Sequence, residues 1–234
     1  MSSMATHHTH VAFGLLAGAA TGVLLGYSVE TSIIGAVVAG GAALLPDVDT
    51  PTSAVSSSVG WAGTLLLTPV RIASVRHRGL THTLAAGGVA STAVWATTWS
   101  VQGAQAAVAV VAAVVSAFAV RSLLTLGSGM GVRPLLRRRT RRILTVGAAV
   151  ASAGFCYTGA STGVDRLIPL AFAAGYLSHL LVDAAMGGVP LLWPLRSLSR
   201  RVVIGRIRTG GATDHLLGAA ALALTLFVLF APHS

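Results

Sequence analysis

The chain has 234 residues, of which 54% are hydrophobic and only 9% charged, and its mean hydropathy is +0.79. A soluble domain carries about 25% charged residues and leaves a large part of its surface in water, so this composition excludes a soluble enzyme or binding module and indicates a membrane protein. The net charge is +10 and every basic residue is arginine; the arginines lie in short segments between apolar stretches, where they set topology, and no nucleic-acid partner is expected.

Hydropathy predicts an all-α, polytopic transmembrane bundle of about seven helices in a single domain over 1–234. A span needs about 20 mostly apolar residues. The first candidate covers 10–27. Residues 1–10 lack the arginine or lysine of a signal peptide, so this helix is expected to be retained, with His7 and His8 in a tail before it. The second, 31–46, is short and glycine-rich. A polar, serine-rich loop follows over 53–58. The segment 61–70 is apolar but too short to span, and reads as an interfacial or re-entrant piece. Spans are then expected at 80–99, 104–126, 142–160, 167–185 and 213–231. Their alanine and glycine content suits close helix packing in lipid. Cys156, the single cysteine, excludes cysteine-rich zinc motifs and reads as a small buried residue.

Seven spans place the loops alternately on two sides. One side then receives Arg71, Arg76, Arg78, Arg121, Arg133, the arginine run over 137–142, Arg196, Arg200, Arg201, Arg206 and Arg208. The other side receives Arg166. By the positive-inside rule the arginine-rich side is cytoplasmic, which predicts an N-in, C-out topology.

The same side collects most of the acids and histidines. His10 opens the first helix, and Asp47 and Asp49 follow the second. His77 and His82 flank the start of the third, with Gly79 allowing a bend and Thr81 a candidate helix cap. His179 and Asp183 stand one turn apart at the end of the sixth, on one helical face. Asp214 opens the seventh. Ionisable groups near a bilayer core are costly and face a cavity or a partner. Carboxylates crowded at one depth repel each other, and a divalent cation with imidazoles as additional ligands relieves that repulsion. The expected ligands are His10, Asp47, Asp49, His77, His82, His179 and Asp183, with Asp214 a possible further ligand or a partner to one. Arg78 is expected to grip an anionic substrate oxygen or to pair with Asp47 or Asp49.

Five segments carry a resemblance: Thr6-His7-His8-Thr9-His10; Leu45-Pro46-Asp47-Val48-Asp49-Thr50-Pro51; His77-Arg78-Gly79-Leu80-Thr81-His82-Thr83; Gly175-Tyr176-Leu177-Ser178-His179-Leu180-Leu181-Val182-Asp183; and Gly188-Val189-Pro190-Leu191-Leu192-Trp193-Pro194. Together they resemble the YdjM-like family of bacterial inner-membrane metal-dependent hydrolases, over about residues 5–215. The chain departs from the family pattern at Thr50, often a histidine, and at Asp214, where the family tends to have glutamate. The resemblance implies a bacterial inner-membrane location and metal-dependent hydrolysis. The mixture of histidine, aspartate and a His-x-x-x-Asp helix is similar to zinc phospholipase C, which points to phosphoesters in a lipid-like substrate. The expected chemistry is one or two divalent ions, zinc foremost, acidifying bound water, with Asp49 as base and Arg78 stabilising negative charge. The alternative is a metal-binding membrane protein without catalysis, either structural or a transporter. Ionisable residues confined to one side argue against transport, which needs polar groups near the midplane.

Overall fold

The computed structural model describes residues 6–50, 53, 68, 72, 74, 79–97, 104–125, 136–158, 163–205 and 207–231. Among these, seven α-helices follow one another with no strand: α1 (Thr6–Leu24), α2 (Val29–Ala42), α3 (Leu84–Ala96), α4 (Ala104–Leu123), α5 (Arg138–Thr158), α6 (Val164–Met186) and α7 (Ala212–Phe230). The helix number agrees with the hydropathy reading, but the lengths differ. Four stretches are long and apolar enough to cross a membrane: Val29–Asp49, Gln105–Leu123, Arg166–Met186 and Ala212–Phe230. α3 has 13 residues, about 20 Å at ~1.5 Å per residue, short of the ~30 Å hydrocarbon thickness. Its expected first turn is instead a 3-10 turn over Leu80–His82. α5 opens on Arg138, Arg139, Arg141 and Arg142, so its first turns are strongly polar. α1 starts earlier than expected and takes His7 and His8 into the helix, with His8 buried rather than in a tail. Of the 61–70 segment only Thr68 is described; the rest, like most of 53–58, lies outside the described residues.

Small residues set the helix spacing. Gly14, Gly18 and Gly22 recur every fourth position and put one bare stripe of α1 against α2. A Cβ on Gly18 would lie 2.6 Å from the Ala39 Cβ, and one on Gly22 would lie 2.8 Å from the Ser32 Cα and 2.5 Å from its Oγ, far inside van der Waals contact. Gly14 meets Gly40 and Ala43, whereas Gly22 meets Ser32, so α1 and α2 run antiparallel. α6 packs against α1, α2 and α3 and is the central element. Gly175 of α6 lies on the Ala39 backbone, and His179, one turn on, reaches the Ala43 carbonyl, one turn on in α2. α2 and α6 are therefore parallel and end at the same level. α1 and α7 meet at their first turns, where Thr9 bonds Asp214.

The starts of α1, α3 and α7 and the ends of α2 and α6 thus share one end of the bundle. The apolar core lies beneath them, built from Val38, Ala42, Ile168, Phe172 and Leu180, and from Val11, Leu15 and Leu44 on the α1 side. After α6 the chain folds back over its own helix end. Gly188 N donates to Asp183 O at 2.9 Å, Ile204 N to Ala184 O at 2.9 Å and Ile207 N to Ala185 O at 3.1 Å. These bonds satisfy carbonyls that a helix end otherwise leaves unpaired.

Candidate metal centre

Five of the expected residues converge at this end. After Ala42 the chain leaves α2 through Ala43 and Leu44 and tightens into a 3-10 turn over Leu45–Asp49, with Pro46 at its start. This turn sets Asp47 and Asp49 beside the Leu80–His82 turn. Thr83, not Thr81, caps α3, its hydroxyl accepting from Ala86 N at 3.1 Å. Thr81 is thereby left for the site.

His10, His82 and His179 are each at most 1% exposed, and Asp183 is 1% exposed. His179 Nε2 stands 3.2 Å from His82 Nε2, 3.5 Å from Asp183 Oδ2 and 3.8 Å from Asp47 Oδ1. His82 Nε2 is 3.4 Å from Asp183 Oδ2 and 3.5 Å from Asp47 Oδ1. His10 stacks on His179 with ring centroids 3.9 Å apart, and its Nε2 is 3.5 Å from the other Asp183 oxygen, Oδ1. Ligand atoms of His10, Asp47 and His179, and of His82, His179 and Asp183, each lie within 4.8 Å of one another. Either group could hold a metal ion.

The hydrogen bonds behind the rings decide where the lone pairs point. His179 Nδ1 is 2.7 Å from the Ala43 carbonyl oxygen. A carbonyl can only accept, so Nδ1 carries the proton, and in the neutral ring Nε2 presents the lone pair. His82 Nδ1 is 3.1 Å from Thr81 Oγ1, and Thr81 gives its single proton to Asp49 Oδ2 at 3.0 Å. The Thr81 oxygen therefore accepts from His82 Nδ1–H, and His82 Nε2 is turned towards His179 Nε2, Asp183 Oδ2 and Asp47 Oδ1. Two ring nitrogens 3.2 Å apart, with a carboxylate oxygen of Asp183 and one of Asp47 within 3.5 Å of His82 Nε2, form a donor cluster that a cation would satisfy. A metal-ligating histidine typically donates its other N–H to a carbonyl or carboxylate, which fixes the ring; both rings here have that support.

Asp49 stands on the far side of His82, its Oδ2 3.7 Å from Nδ1 rather than Nε2, and its Oδ1 accepts from Thr50 Oγ1 at 3.1 Å. Asp47 is the open member of the cluster, with its side chain 22% exposed against 2% or less for the other ring and carboxylate partners. Asp214 is buried but stands apart. Its Oδ1 accepts from Thr9 Oγ1 at 2.5 Å and its Oδ2 from Gly210 N at 2.8 Å, a clamp between α1 and α7. His77 and Arg78 lie outside the described residues. Sequence reasoning missed the Thr81 link, the Ala43 carbonyl and Tyr176, whose hydroxyl donates to the Thr81 carbonyl at 2.5 Å. The adjacency of Thr81 to His82 was a usable signal for the first. A backbone carbonyl leaves no mark in a sequence.

A helical membrane bundle with a buried histidine–aspartate cluster at one end, able to hold a metal ion, is thus the class that fold and site define. The sequence matches the YdjM inner membrane protein family over residues 4–233, nearly its whole length, and the chain belongs to that family. No curated protein and no solved structure matches it.

Proposed function

We propose that the protein is a membrane-bound metal-dependent hydrolase acting on an ester or phosphoester of an amphiphilic, lipid-like substrate. The observation that carries this reading is the pair of facing Nε2 atoms between two carboxylates. The five separations among His82 Nε2, His179 Nε2, Asp47 Oδ1 and Asp183 Oδ2 run from 3.2 to 3.8 Å. Ligand atoms on a tetrahedral zinc ion, with bonds of about 2.0–2.1 Å, lie about 3.3–3.4 Å apart. The donor set and spacing therefore fit zinc. Asp183 turns its second oxygen to His10, and that oxygen with His10 would add donors for a second ion.

When bound, such an ion lowers the pKa of its water and polarises a phosphoryl or carbonyl oxygen. The protein's own groups do the rest. His82 and His179 are held in one tautomer by Thr81 and Ala43. His82, His179 and Asp183 would hold the ion, and Asp47, the carboxylate open to the outside, is placed beside it to take a proton from water. Asp49 acts behind His82 through Thr81, which replaces the base expected for it. Arg78 is retained as the group that meets a substrate oxygen. The described arginines at the site's end of the bundle, from Arg121 to Arg208, against Arg166 at the other, support a cytoplasmic-facing site in the bacterial inner membrane.

One observation favours a structural metal instead: His82, His179, Asp47 and Asp183 alone would complete a tetrahedron and leave no open position. The test is metal content by mass spectrometry on detergent-purified protein, beside His179→Ala and Asp47→Asn, followed by a screen of phosphoester lipids. Stoichiometric zinc lost in His179→Ala, with hydrolysis abolished in Asp47→Asn, is the expected result. A metal present without hydrolysis of any ester or phosphoester leaves the structural reading. No metal after supplementation removes both.

A further inference from the structure

An apolar slot of about 420 Å³ runs along the seam between α1 and α6. Phe13, Ala17 and Ala20 line it from α1, Ser178 and Val182 from α6, and Ile207 closes its upper end. The three α1 residues are half-buried, so no described protein segment covers them fully. Ser178 is the single polar side chain among the lining residues, and its hydroxyl is turned back to Gly175 O at 2.7 Å. The wall therefore offers no hydrogen bond, and a polar ligand or an ordered water would lose its partners there.

The slot adjoins the metal centre. Phe13 is one turn below His10, and Val182 is next to Asp183; His10 and Asp183 meet across the same seam. From Phe13 to Ala20 the helix advances about 10 Å at ~1.5 Å per residue, about a third of the ~30 Å hydrocarbon thickness. At the upper end, Ile207 belongs to the segment that folds back over α6, in which Arg200, Arg201 and Arg208 are exposed. Residues 187–213 contain no aspartate or glutamate, so this segment contributes only positive charge to the mouth, and arginine suits a phosphate headgroup.

We propose that this slot binds an acyl chain of an anionic phospholipid, with the headgroup phosphate held by Arg201 and Arg208 beside the metal centre. The assignment rests on the hydrolase reading only in making this lipid a substrate; the binding site stands on its own geometry. The test uses the full chain in phosphatidylcholine nanodiscs containing a minor fraction of phosphatidic acid with a photoreactive diazirine in one acyl chain. Cross-linked residues are mapped by peptide mass spectrometry. Label should concentrate on Phe13, Ala17, Ser178 and Val182 relative to Leu224 and Phe227, which α7 exposes outside the slot. Excess unlabelled phosphatidic acid should displace it, and excess phosphatidylcholine should not. Arg201→Gln with Arg208→Gln should abolish that preference without changing the helical circular dichroism. Label distributed simply by exposure, or absent from the slot because another part of the chain fills it, overturns the proposal. Displacement by phosphatidylcholine, or by a polyprenyl phosphate but not phosphatidic acid, overturns the ligand assigned. Metal content measured on the same samples separates the two readings: labelled slot without metal refutes the hydrolase alone, and metal without slot labelling refutes this proposal alone.

Discussion

Replacing Thr81 by valine keeps the side chain's volume and removes one oxygen. That oxygen links the His82 ring to Asp49, with bonds of 3.1 and 3.0 Å. Without it His82 Nδ1 loses its 3.1 Å contact, and Asp49 Oδ2, 3.7 Å away, is too far for an ordinary hydrogen bond. The ring is then free to swap tautomers and to point an N–H at His179. Loss of such a supporting bond typically weakens metal affinity 10–100-fold, about 1.4–2.8 kcal/mol at 1.4 kcal/mol per tenfold. Loss of the hydrogen bond also costs about 0.5–1.5 kcal/mol of stability. The assay is zinc occupancy across a series of metal buffers, with Thr81→Ser as the companion variant. Serine retains the hydroxyl and should bind within a few-fold of the parent. Unchanged affinity in Thr81→Val, or equal weakening in Thr81→Ser, would refute the argument that this hydroxyl sets the His82 lone pair.

Four further outcomes are expected. Gly175→Val drives side-chain carbon into the Ala39 backbone, separates α6 from α2 and pulls His179 off Ala43; metal binding should be lost together with thermal stability, measured by occupancy and melting in the same detergent. Thr9→Val breaks the buried bond to the Asp214 carboxyl and should lower stability by about 1–3 kcal/mol while leaving metal content unchanged, because that clamp stands outside the ligand group. Tyr176→Phe removes the hydroxyl that anchors the Thr81 carbonyl; a fall in metal affinity smaller than that of Thr81→Val is expected in the same titration. Chelation should lower the melting temperature of the parent, since a ligand bound to the folded state stabilises it by mass action, and should leave His179→Ala unaffected.

The bundle was legible in the sequence because each span is a signal about 20 residues long, and alternation of sides follows from helix number alone. That alternation placed His10, Asp47, His82, His179 and Asp183 together before any contact was known. Helix ends were less legible. Thr81 and Thr83 are both plausible caps by residue type, and only the 3-10 turn at Leu80–His82 assigns the cap to Thr83. His8 looked like tail because hydropathy penalises histidine, whereas packing against neighbouring helices buries it. Asp47 and Asp49, two residues apart, looked equivalent. The turn sends one towards the Nε2 side of His82 and the other behind the ring, a distinction that resides in backbone dihedrals.

The histidines that face each other are separated by 97 residues of chain. A ribosome working at ~5–20 residues per second needs about 5–20 s to make that stretch. Throughout that interval His82 and Asp47 are already synthesised while α6 is not. Insertion must therefore carry an unfinished half-site at the membrane face, and the cluster can close only when the sixth helix enters. An ion held by this cluster would thus be captured late in biogenesis, and its occupancy would distinguish a fully inserted bundle from a stalled one.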